Sequence, residues 1–129
     1  MYALDIQEEK LSALKSKLAL EKLNNVSTIL CDLETPGGST LKSDSLDAVL
    51  IPNVLFQAEN KYAILQEGKR VLKPSGELLV VDWKKPASFG PKENLANPDE
   101  IKKMAATMGL SLKKEYLAGD YHFALLFVK

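Results

Sequence analysis

The chain has 129 residues, the size of a single domain, and its 46% hydrophobic and 26% charged residues are ordinary for a globular protein. Its 17 basic and 17 acidic residues give a net charge of zero, so we expect neither a nucleic-acid nor a membrane partner. No apolar run approaches the roughly 18 residues that a membrane span needs. The single cysteine, Cys31, cannot form an intrachain disulfide, and we therefore expect a cytoplasmic protein.

The first part of the chain alternates strand-like and helical segments. Residues 2–5 are mostly apolar and end on an acid, which predicts a short strand. Leucines at helical spacing predict a helix over residues 7–22. A second strand is expected over residues 26–30, and a glycine-containing loop follows over residues 34–45.

The middle of the chain continues this alternation. Residues 47–51 predict a buried strand that ends at Pro52, and the apolar spacing further on predicts a helix over residues 59–72. A proline and a glycine within residues 73–76 predict a turn. Residues 77–83 contain a wholly apolar run, which predicts a strand that is buried on both faces.

The last part of the chain predicts a different connection. A polar loop over residues 84–97 leads to a helix over residues 98–108, with Asn97 placed as the N-cap. Residues 111–116 and 121–128 are strand-like and are joined by a short turn, which favours an antiparallel hairpin. Together the segments predict an α/β fold with a mostly parallel sheet and a C-terminal antiparallel hairpin.

Asp5 is the first candidate for a binding residue. An acid at the tip of a short apolar strand, followed at once by a helix, can accept hydrogen bonds from both hydroxyls of a ribose. In complete nucleotide-binding domains a glycine-rich turn lies about 20 residues before this acid, and none lies before Asp5 in this sequence. The ordinary alternative is an acid that caps the following helix.

Four segments resemble class I S-adenosylmethionine-dependent methyltransferases, in particular the small-molecule branch that includes quinone-biosynthesis-type enzymes. Residues 2–6 resemble the family's second strand with its ribose acid, and residues 31–32 the loop that contacts adenine. Residues 45–49 resemble the approach to the fourth strand. The most specific match is Arg-Val-Leu-Lys-Pro-Ser-Gly-Glu-Leu at residues 70–78, which resembles the helix, turn and fifth strand. The resemblance runs along essentially the whole chain.

The resemblance implies S-adenosylmethionine as cofactor and a set of cofactor-binding positions around two strand ends and a third loop. These positions are Asp5, Ile6, Cys31, Asp32, Leu33 and Asn53. The other interpretations are a solvated loop acid for Asp32, a small apolar filler for Cys31, and a turn residue for Asn53. No catalytic residue is identified, because transfer from an activated sulfonium needs mainly alignment.

The family's first strand and glycine-rich loop have no counterpart in this sequence, so residues 1–129 resemble a single, incomplete, N-terminally truncated Rossmann-like methyltransferase domain. The missing strand would lie in the centre of the sheet, between residues 2–5 and residues 47–51. The loss is expected to expose two strand edges and to weaken binding of the cofactor. The two strands could pair directly, a second copy could cover the gap, or the N-terminal segment could be swapped. We expect a homodimer.

Two aromatic side chains near the end of the sheet are further candidates. Trp83 could line a substrate cleft or cover a helix, and His122, the only histidine, is more simply a hairpin residue than a general base. No spacing indicates a metal site.

The first functional hypothesis, from the resemblance, is methyl transfer to a small molecule, impaired by the missing loop. The alternative is a non-catalytic Rossmann-like module that folds by dimerisation or strand swapping. A different dinucleotide-binding fold is disfavoured by the terminal hairpin.

Overall fold

A computed structural model describes residues 1–129 and contains six strands and three α-helices. In chain order they are β1 (Tyr2–Asp5), α1 (Glu8–Leu20), β2 (Ser27–Leu30), β3 (Leu46–Pro52), α2 (Lys61–Val71), β4 (Leu72–Trp83), α3 (Pro98–Thr107), β5 (Ser111–Ala118) and β6 (His122–Val128). A short 3-10 turn at Leu55–Gln57 precedes α2. None of the helices has both the length and the apolar character required to cross a bilayer.

The strands form two separate sheets. β1 and β2 pair in parallel as a two-stranded sheet, and the other four strands form a second sheet in the order β3-β4-β6-β5. In the second sheet β3 and β4 are parallel, whereas β6 is antiparallel to both β4 and β5. The predicted mixture of parallel strands and a terminal antiparallel hairpin is confirmed. β1 and β3 do not pair with each other, so the possibility that these two strands close directly is wrong.

The hydrophobic core lies on the larger sheet. Helix α2 contributes the buried stripe that the sequence predicted, including Ile64, Leu65 and Gly68, and α3 contributes Ile101 and Ala105. Gly68 lets α2 approach closely, since a Cβ atom there would lie 3.1 Å from the Leu78 side chain. Asn97 caps α3 as predicted, because its side chain accepts hydrogen bonds from the Asp99 and Glu100 amides.

The N-terminal layer is little buried, as the loss of a central strand led us to expect. Leu11 is the only buried residue of α1, and neither strand of the small sheet contains a buried residue. The prediction of a buried strand over residues 47–51 is wrong for most of its length, because only Ile51 is buried in β3. Leu50 is 60% exposed. These strands have the composition of central strands but lack neighbours on one edge and cover on one face.

The turn expected at residues 73–76 lies inside β4 in the structure. Leu72 pairs with Leu46 and Glu77 with Ala48, so four residues of β4 are accommodated opposite one residue of β3. Ser75 adopts a positive φ of 65° within this irregular stretch. The proline and glycine therefore mark a bulge in a continuing strand rather than a break between two elements.

Candidate functional site

A cavity of about 710 Å³ lies where the carboxyl ends of β1, β2 and β3 approach one another. Its walls come from the residues that follow each of these strands and from the start of α2. The lining residues are Leu4, Asp5, Ile6, Gln7, Lys10, Cys31, Asp32, Leu33, Glu34, Val54, Gln57, Ala58, Glu59 and Ile64. Five of the six positions expected to bind a cofactor are among them. The cavity has the size of a small-molecule site and lies at the sheet edge where α/β folds bind ligands.

Asp5 is held by the start of α1 at one carboxylate oxygen. Its Oδ1 accepts a hydrogen bond of 2.8 Å from the Gln7 amide, while Oδ2 has no partner within the protein. Gln7 is the N-cap of α1 and its own side chain makes no capping bond. Asp5 therefore does accept a hydrogen bond from the start of the helix, as the ordinary alternative requires, but it uses only one carboxylate oxygen for this. The second oxygen is free to accept a hydrogen bond from a ligand hydroxyl.

Asp32 and Cys31 occupy the corresponding position after β2. The Glu34 amide donates a 2.8 Å hydrogen bond to Asp32 Oδ1, and the Thr35 hydroxyl lies 3.4 Å from Oδ2. Cys31 is half-buried beside them. Burial raises the pKa of the Cys31 thiol, and the carboxylates of Glu67, Asp32 and Asp5 raise it further. The thiol is therefore neutral, which agrees with a packing role for Cys31 rather than a nucleophilic one.

Glu34 is a lining residue that the sequence did not indicate. Its two carboxylate oxygens accept hydrogen bonds from the Glu59 amide at 3.2 Å and the Asn60 amide at 2.7 Å, at the N-terminus of α2. A carboxylate is favourable there because the helix dipole presents its positive end. Since these contacts join residues 25 and 26 positions apart, no local pattern could have revealed them. Glu34 fixes the cavity wall formed by the small sheet against the wall formed by α2.

A buried carboxylate on α2 makes a second connection between this helix and the loop after β2. Glu67 on α2 is 5% exposed and pairs with Arg70 at 2.7 Å. It also accepts a 2.5 Å hydrogen bond from the Ser39 hydroxyl, in the loop that follows β2. The Arg70 guanidinium first, and then the Ser39 hydroxyl, hold the pKa of Glu67 at about 2, below its usual 4.5. Loop and helix are thus joined by charged hydrogen bonds.

Asn53, the sixth expected position, lies just outside the set of lining residues. It adopts a positive φ of 52°, and its amide donates a 2.8 Å hydrogen bond to the Val81 carbonyl. The following turn is fixed by the fully buried Asp82, whose carboxylate accepts from the Leu55 amide at 2.8 Å. Burial raises the pKa of Asp82. A cofactor contact by Asn53 stays a prediction.

Trp83 and His122 belong to an aromatic cluster away from the cavity. Their ring centroids are 4.0 Å apart, and Phe89 lies 5.8 Å from Trp83 and 5.3 Å from Tyr121. The Nε2 atom of His122 is buried without a hydrogen-bond partner. Neither residue lines the cavity. No group of three or more His, Cys, Asp or Glu side chains is arranged to hold a metal ion.

The sequence profile of a methyltransferase domain matches residues 1–118. The chain belongs to this methyltransferase family. The family match agrees with the resemblance drawn from the strand ends and from residues 70–78. No curated protein sequence matches the chain. The family membership therefore supports a general link to methyl transfer, while the acceptor has to be argued separately.

Solved structures show the same fold at low sequence identity. A SAM-dependent methyltransferase from Aquifex aeolicus is 24% identical, with a TM-score of 0.86 over 98% of this chain and 67% of that chain. The trans-methyltransferase CalH, solved with SAH, is 17% identical, with a TM-score of 0.79 over 98% of this chain and 42% of that chain. The [4+2]-cyclase SpnF is 12% identical, with a TM-score of 0.83 over 99% of this chain and 65% of that chain. Because a cyclase shares the fold, the fold alone does not determine the reaction.

Proposed function

We propose that the chain binds S-adenosylmethionine in the 710 Å³ cavity and takes part in methyl transfer to a small molecule. The observation that carries this proposal is the meeting of Asp5 and Asp32, from two different strand ends, in one cavity. When bound, the cofactor supplies a methyl group that is already activated on a sulfonium. The protein then has to bind and orient it, which requires no general base.

The residues at the cavity fit the adenosine part of the cofactor. The unpartnered Oδ2 of Asp5 is a suitable acceptor for a ribose hydroxyl. We assign to Asp32, on the neighbouring strand end, the role of acceptor for the adenine amino group. Ile6 and Leu33 supply apolar contact for the base and sugar. Residues 1–129 contain no glycine-rich loop after a strand to receive the methionine carboxylate. The proposal therefore assigns adenosine recognition to this chain and predicts weak binding.

The charge of the cavity favours the methyl donor over the demethylated product. Its lining includes four carboxylates, from Asp5, Asp32, Glu34 and Glu59, and the single ammonium of Lys10. S-adenosylmethionine carries one more positive charge than S-adenosylhomocysteine, because the sulfonium becomes a neutral thioether after transfer. The excess negative charge is expected to attract the sulfonium, and salt is expected to weaken this preference.

Calorimetric titration with both compounds tests the proposal. We expect S-adenosylmethionine to bind with a dissociation constant below about 1 mM. Asp5→Asn keeps an oxygen for the Gln7 amide but replaces the free acceptor with a donor. It should weaken binding about tenfold to a hundredfold, since a charged hydrogen bond contributes about 1.5–3 kcal/mol. Asp120→Asn, in the exposed turn of the hairpin, is the matched control. Absence of binding at millimolar ligand by the folded protein would overturn the proposal.

A non-catalytic module is the second candidate, and the separation of the two sheets favours it. If the free chain binds neither compound yet remains folded, this interpretation gains support.

We also propose a homodimer, because the apolar side chains of Leu30 and Leu50 are 56% and 60% exposed. The zero net charge supports a small-molecule acceptor rather than nucleic acid or an anionic membrane. A contribution of Trp83 to an acceptor site stays a prediction.

A further inference from the structure

One wall of the cavity is formed by residues 54–60, which lead from the end of β3 to the start of α2. We call them the wall segment. Its lining residues are Val54, Gln57, Ala58 and Glu59. The main chain of the segment contributes two long hydrogen bonds of 3.3 Å, donated by the Gln57 and Ala58 amides to carbonyls three residues earlier. The position of the wall segment therefore depends on contacts from the rest of the protein.

Two carboxylates from outside the wall segment bind its main-chain amides. At the end of the segment, Glu34 accepts hydrogen bonds from the Glu59 and Asn60 amides. At its start, Asp82 Oδ2 accepts a 2.8 Å hydrogen bond from the Leu55 amide. Glu34 follows β2 of the small sheet, whereas Asp82 lies near the end of β4 in the larger sheet. Each sheet thus contributes one carboxylate to the same wall.

Asp82 is a buried acid with no basic partner. Its side chain is 0% exposed, and none of the ion pairs in the structure includes it. Asp82 Oδ1 accepts a 2.8 Å hydrogen bond from the Trp83 amide, and the Val54 and Phe56 amides add interactions that favour the charged carboxylate. Burial opposes the charge, so the carboxylate depends on several N–H donors that converge on it. Three of the four donors belong to the wall segment.

We propose that Asp82 is a positioning residue for the cavity: its charged carboxylate holds the first amides of the wall segment and thereby keeps Val54 and Gln57 in place as lining residues. Asp82 does not line the cavity itself, so it acts through the wall and not by contact with a ligand. Asparagine cannot replace it, because a carboxamide has one acceptor oxygen and its NH₂ group would face an amide donor. The inference rests on the proposed function for the identity of the ligand, but not for the placement of the wall.

Amide hydrogen exchange of the 129-residue chain, followed by NMR, tests the placement of the wall. In Asp82→Asn, exchange at Leu55 and Gln57 should be about tenfold faster relative to the buried Val80 amide of β4. The matched control is Ile101→Ala, which removes a fully buried side chain from α3 and destabilises the core without touching the wall segment. It should not speed exchange at Leu55 and Gln57 relative to Val80. The same pattern in both variants would overturn the proposal.

An acid titration of the unmodified protein keeps the test decisive if Asp82→Asn does not fold. The carboxyl-carbon chemical shift of Asp82 reports its protonation, and the Leu55 and Trp83 amide shifts report its two hydrogen bonds. We expect all three shifts to change with one midpoint, because protonation removes the charge that the amides bind. A Leu55 amide shift that stays constant while Asp82 gains its proton would contradict the proposed role.

Calorimetry with S-adenosylmethionine separates positioning from general support of the fold. Asp82→Asn should raise the dissociation constant about tenfold, because a displaced wall no longer presents its lining residues to the ligand. Ile101→Ala should leave the dissociation constant within about twofold of the original value. Equal weakening by both variants, or none by Asp82→Asn, would refute the inference. If the unmodified chain does not bind the compound, the proposed function fails, and exchange at Leu55 and Gln57 still decides the role of Asp82.

Discussion

The single cysteine is a natural reporter of the cavity. Burial and nearby carboxylates raise the pKa of the Cys31 thiol above its usual 9.0, so at pH 8 little of it is the reactive thiolate. We expect iodoacetamide to alkylate Cys31 more slowly than free cysteine. S-adenosylmethionine at ten times its dissociation constant should slow the reaction about tenfold further, since only the unliganded protein reacts.

The control for this reaction is the Asp5→Asn variant, in which the same ligand concentration should protect Cys31 much less. Mass spectrometry of the alkylated protein over time gives both rates. An alkylation rate that is unchanged by saturating ligand would place the ligand elsewhere.

Among the residues that line the cavity, the sequence predicted those at strand ends. It missed those whose contacts are with distant parts of the chain. Asp5 and Asp32 were found because each directly follows a short apolar strand, a purely local pattern. Glu34 was missed because its partners lie at the start of α2. Lys10 was missed because nothing in a helical sequence indicates that its side chain lines a cavity.

At the scale of elements, the Glu67–Arg70 pair of helix α2 is hydrogen-bonded to the loop after β2, through Ser39 to Glu67 and through Arg70 to the Leu41 carbonyl. The pKa of Glu67 is depressed from 4.5 to about 2, so its contribution to stability is complete above pH 4.5. That contribution is lost as the pH falls through about 2. The shift corresponds to about 3 kcal/mol at most.

Denaturant unfolding at several pH values tests this contribution. Glu67→Gln should destabilise the protein at pH 7 by about 2–3 kcal/mol and should flatten the pH dependence between 4.5 and 2. Glu93→Gln, at an exposed loop position, is the matched control and should leave the curve unchanged. An identical pH dependence for Glu67→Gln and the unmodified protein would contradict the assignment.

The order of strands and helices was predictable because each has a clear period and clear ends. Helix α3 is the best example, with Asn97 before it and Gly109, at a φ of 82°, after it. β3 was predicted as a buried strand from its composition alone. Composition does not reveal whether neighbours are present, and Leu50 is exposed because no element among residues 1–129 covers it.

At the scale of the whole molecule, the exposed apolar residues of the small sheet and of β3 predict self-association. Light scattering at micromolar concentration should give twice the 14.2 kDa mass of the chain. Leu50→Lys should shift the population toward the monomer because it places a charge on the exposed face. Leu117→Lys, at an 88% exposed position on β5 at the far edge of the larger sheet, is the control. A stable monomer of the unmodified chain would refute the homodimer.

The separation into two sheets also explains why the cavity depends on polar contacts. No strand joins β1 to β3. The cavity wall formed by the small sheet is therefore held to the wall formed by α2 through two polar contacts: Glu34 accepts from the Asn60 amide at the start of α2, and Ser39 donates to Glu67. The sequence indicated that the central strand of the family's sheet has no counterpart among residues 1–129. It could not indicate that the flanking strands would remain apart, because that outcome depends on contacts far apart in the chain.

The central claim is that the cavity beside Asp5 and Asp32 binds S-adenosylmethionine. The most direct measurement is an NMR titration of the ¹⁵N-labelled chain with this compound. We predict amide shift changes that cluster at Ile6 and at Cys31, Asp32 and Leu33, which line the cavity. The absence of any change at millimolar ligand, or changes confined to the Trp83 and His122 cluster, would contradict the claim.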